Sequence, residues 1–565
     1  MTETHHPVRA ATRAVFRSGA GVVVASSAIN LLMLNGSIYM MQVYDRVLVA
    51  RSTATLLTVS ALMLGLFAVQ GGLDALRQRL MARIAAAFAE DLRTPAHAAA
   101  MRLATSGATR AAAQPEQDVE RVRAVLASGG PTALIDLPFA PLFLALIFAL
   151  HPLLGAVALG GALVLFALPL VSGRLARRSV ETVGRTALRR AVEADAQRRN
   201  AETAHAMGFV SRLRDRSLAA AETAATAELA AADVTGDFTA TARVVRMALQ
   251  SVLLGVGAWL VVQDAVSSGA ILASSVLVGR ALAPIDLAIA HWRGLTEGRA
   301  ALKRLGETLT AAPATDRTRL PAPVARLAVE GLAVTPPGAT RPVVRGIDFA
   351  LDAGEVLAIV GPSGAGKSSI ARALVGLWAP AAGAVRLDGA RLDQWQAEEL
   401  GRHIGWVPQA VGFFDASIAE NIARLDPAAP SEAVIAAARA AGVHELILRT
   451  EAGYDTPIGD AHGPFSAGQR QRLALARALY GEPFLLVLDE ANSNLDAQGE
   501  AALKRAIADA KARGAIVVLV THRSSLITAA DRLLVIEDGT MKAFGRRDEI
   551  VRALDTSARP APRAA

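Results

Sequence analysis

A run of about twenty apolar residues can cross the ~30 Å hydrocarbon core of a bilayer only as a helix, because lipid offers no partner to an unpaired backbone N–H or C=O. The 565-residue chain holds six such runs, all before about Ala290: Ala20–Tyr44, Thr53–Leu73, Ala133–Leu150, Leu153–Val171, Met247–Val262 and Ala270–Ile289. His151 and Pro152 leave room only for a hairpin between the third and fourth. From about Pro321 onward the sequence reads instead as a soluble α/β domain.

The loops between the runs are unequal. Segments 45–52, 151–152 and 263–269 are short and hold two arginines, whereas 74–130 and 172–246 hold roughly twenty. The positive-inside rule therefore puts the long loops and both termini in the cytoplasm. Residues 1–19 are polar and basic (Arg9, Arg13, Arg17) and no cleavage site follows, so this segment leads into a retained span. The formal charge of +8 is spread through Ala-rich helical stretches without aromatic platforms, which argues against nucleic acid and for cytoplasmic loops beside a lipid bilayer. There is no cysteine, which excludes disulfides and thiolate metal sites.

Both long loops lack the usual helix breakers over most of their length and are expected to be helices continuing the spans, with turns at Thr94-Pro95, Ser106-Gly107 and Gly208. Pro138 and Pro141 predict a kink in the third span. Asp136 lies at its mouth and is read as structural; Arg280, Pro284 and Asp286 are expected to line a cavity between helices.

In the second half, Gly361-Pro362-Ser363-Gly364-Ala365-Gly366-Lys367-Ser368-Ser369 fits the phosphate-cradling pattern G-x-x-x-x-G-K-[ST]. It stands between an apolar strand, Val356–Val360, and a helical stretch, Ile370–Leu377. Glycines there let consecutive N–H groups and a helix N-terminus face an anion. Lys367 is expected on the terminal phosphates and Ser368 on Mg²⁺. A second apolar strand, Phe484–Leu488, ends in Asp489 and Glu490, suited to hold Mg²⁺ and to deprotonate the attacking water. A third, Ala515–Val520, ends in Thr521-His522, whose imidazole would contact the γ-phosphate or the water. The short strand from Ile404 ends at Gln409. Ser466, with Ala467, Gly468 and Gln469, opens another helix and makes a second anion site. One chain thus holds two half-sites, which a C₂ homodimer would complete around two ATP molecules.

The order Gly361–Ser368, Gln409, Phe465–Gln469, Asp489-Glu490, Asp496, His522 resembles the nucleotide-binding domain of ATP-binding cassette (ABC) transporters. The membrane half resembles their exporter branch. The resemblance implies an all-α six-helix transmembrane domain (20–310) joined by a linker (311–326) to an α/β P-loop domain (327–555), with a flexible tail (556–565). It also implies Mg²⁺ sensing by Gln409, a contact in trans by Ser466–Gln469, a bridging Asp496, a catalytic Glu490, a γ-phosphate switch at His522 and coupling helices near Ser106 and Gly208.

A narrower likeness is carried by Tyr44–Leu48, Asp136–Leu142, Ala206–Gly208, Arg280–Pro284 and His291–Gly294, which are similar to the type I secretion ATPases. That group implies a multi-pass protein of the bacterial inner membrane, a periplasmic membrane-fusion adaptor, an outer-membrane channel and an unfolded polypeptide cargo. An N-terminal peptidase-like domain of some relatives is not expected here, fewer than twenty residues preceding the first span. A flippase of lipids or small molecules, and a membrane-anchored ATPase without transport, remain as other readings. Two departures stand out: Ala467-Gly468 where the family usually has Gly-Gly, and no aromatic in Val334–Gly338 to stack on adenine.

Overall fold

A computed structural model describes residues 7–105, 114–311, 319–459 and 465–558. Tertiary contacts divide the chain into two compact units, the division falling between residues 313 and 314.

The first unit is helical. A helix α1 (Pro7–Ser18) runs through a helical Gly19 into α2 (Ala20–Leu32) and α3 (Asn35–Gln42), followed by a π-helical turn (Val43–Val47) and α4 (Leu48–Ala50). Arg51, at φ +50°, reverses the chain into α5 (Thr53–Thr105). Then come α6 (Pro115–Leu126), α7 (Gly129–Asp136), a 3₁₀ turn (Leu137–Phe139) and α8 (Ala140–Leu150). The remaining helices are α9 (Pro152–Arg199), α10 (Ala201–Ala206), α11 (Val210–Val262), α12 (Ser268–Ala290) and α13 (Trp292–Ala311). Among the described residues, five helical stretches are long and apolar enough to cross a membrane, and a shorter apolar run, Pro152–Leu168, opens α9.

The kink at Pro138 and Pro141 is present as the 3₁₀ turn between α7 and α8. The turn at Gly208 is present too, with the short α10 before it and the glycine at φ +69°. The turn expected at Thr94-Pro95 is not: α5 runs straight through Pro95. Leu92, Ala96 and Ala99 are buried among Val119, Val122, Leu305 and Leu309, so packing on both sides of the proline holds the turn that its missing N–H weakens. The turn at Ser106-Gly107 lies outside the described residues.

Three carboxylates of the helical unit are held by named partners. Asp136 is buried, accepting from Asn30 Nδ2 at 2.8 Å and from Arg77 Nη1 at 2.8 Å. Arg77 also reaches Asp74 at 2.6 Å and Ser26 Oγ at 3.1 Å, which ties α2, α5 and α7 together and agrees with a structural Asp136. Asp45, in the π-turn, accepts from the Gly269 N–H at 2.8 Å and from Ser267 Oγ at 2.7 Å, so it caps α12 from another helix. Asp286 accepts from Arg246 at 2.5 Å.

The second unit holds strands β1 (Arg326–Val334), β2 (Val344–Asp352), β3 (Val356–Val360), β4 (Ala382–Leu387), β5 (Ala390–Arg391) and β6 (Ile404–Val407). After them come β7 (Ala416–Ser417), β8 (Pro457–Ile458), β9 (Leu485–Asp489), β10 (Ile516–Val520), β11 (Arg532–Glu537) and β12 (Thr540–Arg546). The main sheet has the order β12-β11-β3-β10-β9-β6, parallel except for β12. A four-stranded antiparallel sheet, β2-β1-β4-β5, shares a core with it. Strands β9 and β10 are buried throughout, as the apolar runs Leu485–Leu488 and Ile516–Val520 require of central parallel strands.

Of the expected linker 311–326, Ala311 ends α13, Arg326 opens β1 and 319–325 have no regular structure, while 312–318 lie outside the described residues. A helix, Arg547–Ala558, runs into the expected tail. The first residues of that tail are helical, and 559–565 lie outside the described residues.

Candidate nucleotide site

Parallel pairing sets the site. Ile359 lies opposite Val520, Val520 opposite Asp489, and Val407 opposite Leu488. Residues following β3, β10, β9 and β6 therefore leave the sheet at one end, side by side. These are the Gly361 loop, Thr521-His522, Glu490 and Pro408-Gln409. The carboxyl end of such a sheet is where its ligands bind.

The loop is shaped by close approach. Gly361 has φ +153°, and a Cβ there would lie 2.1 Å from the carbonyl oxygen of Ile536 on β11, so no side chain fits. Gly364 and Gly366 also take positive φ. The chain then enters α14 (Lys367–Leu374), whose first N–H groups face the loop. Lys367 Nζ donates to the carbonyls of Gly361 at 2.9 Å and Pro362 at 2.8 Å. Burial pulls its pKa below the usual lysine range, and the nearby Glu490 and Asp489 carboxylates oppose that shift.

Asp489 is fully buried. Its Oδ1 accepts from Ser368 Oγ at 3.0 Å, while Oδ2 is buried with no hydrogen-bond partner. Burial pushes this carboxyl above its ordinary range, and the Ser368 hydroxyl only partly offsets it. An orphaned carboxylate oxygen beside a hydroxyl is the hard-oxygen donor set that suits Mg²⁺.

Glu490 follows in a left-handed conformation, φ +51°, uncommon for a side-chain-bearing residue. Its N–H donates to the Val520 carbonyl at 3.0 Å, Gln409 Nε2 donates to its carboxylate at 3.0 Å, and His522 Nε2 stands 4.0 Å from the other oxygen. The carboxylate is partly exposed, and together these groups form an open-sided cluster in which a base can meet a water.

Ser466 caps the helix Ala467–Leu479 in a capping box: its Oγ accepts from the Gln469 N–H at 3.3 Å, and Gln469 Oε1 accepts from the Ser466 N–H at 2.8 Å. Ala467 is exposed. Gly468 is not in the left-handed region; a Cβ there would lie 2.4 Å from the Asn494 carbonyl oxygen. Glycine is thus required for clearance and not for a strained dihedral. Asp496 is exposed and caps the helix Ala497–Ala512 through the Gly499 N–H at 2.7 Å.

One residue was missed by sequence reasoning. Gln471 is buried, donates to the Glu490 carbonyl at 2.9 Å and accepts from the Asn494 N–H at 3.1 Å. It therefore fixes both the backbone of the acid and the turn at Asn494 packed on Gly468. The available signal was its place on the same helical face as Ala474, Leu475 and Ala478, where an amide needs a partner.

Comparisons with known proteins agree with this geometry. The family model described as ABC transporter matches residues 344–493. The chain is 45% identical to the type I secretion system ATP-binding protein PrsD of Rhizobium meliloti, over 94% of this chain and 92% of that one. It is 29% identical to the cyclolysin secretion/processing ATP-binding protein CyaB of Bordetella pertussis, over 94% of this chain and 75% of that one. The structure of a bacterial Atm1-family ABC exporter with ATP bound superposes with a TM-score of 0.81 at 22% identity, covering 98% of this chain and 99% of that one, which establishes the exporter fold. This is a membrane-spanning, nucleotide-binding ATPase of the transport class, and the chain belongs to the ABC transporters as a type I secretion system ATP-binding protein.

Proposed function

We propose that the chain works as a homodimer in the bacterial inner membrane, with its ATPase half in the cytoplasm. There it drives an unfolded polypeptide outward through a periplasmic membrane-fusion adaptor and an outer-membrane channel. The carrying observation is near full-length similarity to a type I secretion protein, with the exporter bundle and the nucleotide site in one chain.

In this reading the loop Gly361–Ser369 wraps the phosphates, and Lys367 exchanges its two loop carbonyls for phosphate oxygens. Ser368, Asp489 and Gln409 would hold Mg²⁺, which when bound neutralises charge on the terminal phosphates. Glu490 orients and deprotonates the attacking water, and His522 contacts the γ-phosphate. Ser466, Ala467, Gly468 and Gln469 bind the nucleotide held by the other copy, with Asp496 bridging the pair. Gln409 donates to the Glu490 carboxylate, so a Gln409 that held Mg²⁺ through its amide oxygen would also tie the acid to the metal site.

Deleting the gene is expected to remove one or more polypeptides from the medium and retain them in the cells, with rescue by the native chain and not by Glu490→Gln. An unchanged set of secreted proteins together with altered lipid or drug sensitivity would overturn the polypeptide reading.

A further inference from the structure

The six apolar stretches expected to span the membrane contain three ionisable acidic or basic side chains: Asp136, Arg280 and Asp286. Two have partners. Asp136 is held by Arg77, and Asp286 by Arg246. Arg280 makes no hydrogen bond or ion pair with any described residue, although the bundle supplies counter-ions elsewhere.

Its position makes this costly unless water reaches it. Arg280 lies near the middle of α12, about 15 to 18 Å of helix from either end, deeper than an arginine can snorkel. A lone guanidinium on a lipid-facing surface at that depth is strongly disfavoured. Nor is α12 a peripheral helix. Half of its apolar stretch is buried, the largest share of the five, and α3, α7, α8, α9 and α11 all pack on it. The buried face, through Ala273, Leu277, Ala281 and Ile285, points into the bundle. Arg280 stands at the border of the opposite face with Val276, Gly279, Ala283 and Leu287, none of them buried. Two of those four flanking residues are small, and the cation beside them has no partner among the described residues.

We infer that this face of α12 lines the path of the exported chain and that Arg280 contacts its carboxylates, favouring acidic segments of cargo. This rests on the polypeptide-export reading. A moving chain suits the geometry because its carboxylates are transient counter-ions, leaving the cation unpaired between passages, and the polar group beside Gly279, the Gln250 amide, carries no charge to hold them fast.

The absence of cysteine makes the test specific. In the full-length protein in lipid vesicles, Arg280→Cys is expected to react with an anionic, membrane-impermeant methanethiosulfonate added in water; an unreactive thiol places the residue in lipid and overturns the inference. In a second arm, binding is measured for an unstructured peptide rich in Asp and Glu and for its Asn/Gln counterpart. The native protein is expected to prefer the acidic peptide about tenfold. Arg280→Lys should keep most of that ratio and Arg280→Gln should bring it near one. An unchanged ratio in Arg280→Gln, or equal weakening of both peptides, overturns the assignment. So does dissociation of the dimer in that variant, which would make Arg280 a contact to the second copy. Equal binding of both peptides by the native protein removes only this assignment; binding of neither removes the polypeptide reading itself.

Discussion

One carbonyl oxygen decides what stands at the start of the helix Ala467–Leu479. The Ala467 methyl is exposed, while a methyl at position 468 would meet the Asn494 carbonyl at 2.4 Å. Ala467→Gly should therefore change ATPase turnover less than about twofold, whereas Gly468→Ala must displace the Asn494 backbone that Gln471 holds. Forcing that shift costs about 1–3 kcal/mol, readable as a lowered melting temperature alongside reduced turnover. At Glu490 the prediction is chemical. Glu490→Gln is nearly isosteric and keeps a side chain in reach of Gln409, so ATP binding should persist while hydrolysis falls by roughly 10²-fold or more, the scale of a lost general base. Equilibrium binding and single-turnover hydrolysis separate the two. Most of these residues were legible because phosphate chemistry imposes fixed types at fixed spacing along one strand–loop–helix unit. Gln471 was not, because what it does is set by the turn Glu490–Asn494 brought beside it from elsewhere in the chain.

Prolines show how far sequence reaches at the level of helices. Pro138 and Pro141 interrupt α7 and α8 as expected, being close together where only a short turn needs repair. Pro95 leaves α5 unbroken because Leu92, Ala96 and Ala99 are clamped on either side by helices distant in sequence. Local propensity is visible in a sequence; the packing that overrides it is not. The same holds for Asp136, whose place at a helix mouth was readable but whose partners Arg77 and Asn30 were not. With both members of the Arg77–Asp136 pair largely buried, Asp136→Leu strands a guanidinium against Asp74 and Ser26. Removing one partner of such a pair destabilises by about 3–5 kcal/mol. The variant should show a lower yield of full-length protein and earlier thermal unfolding in detergent, with partial recovery on adding Arg77→Met.

At the scale of the whole transporter, the two anion sites of a single chain, at Gly361–Ser369 and Ser466–Gln469, lie well apart in its ATPase unit's sequence, and the proposal is that they meet only between copies. Mixing Lys367→Ala and Ser466→Arg subunits is then expected to restore one working site per mixed dimer, giving measurable turnover where either variant alone is inactive. A mixture as inactive as its parents would mean each site is complete within one chain. Fold class and the two-part organisation were legible here, since apolar run length and charge distribution act on the whole molecule. The antiparallel sheet packed beside the main one was only half legible, as β4 and β5 carry no strong pattern of their own.

The unbroken length of α11 carries a mechanical consequence. Its 53 residues make a rod of about 80 Å, and the apolar part, Gly236–Val262, occupies about half of it. A rod pivoting at the inner surface of the bilayer is a seesaw with nearly equal arms. A few ångströms of swing at the Gly208 end would reappear, reversed and scarcely diminished, at the far mouth of the bundle.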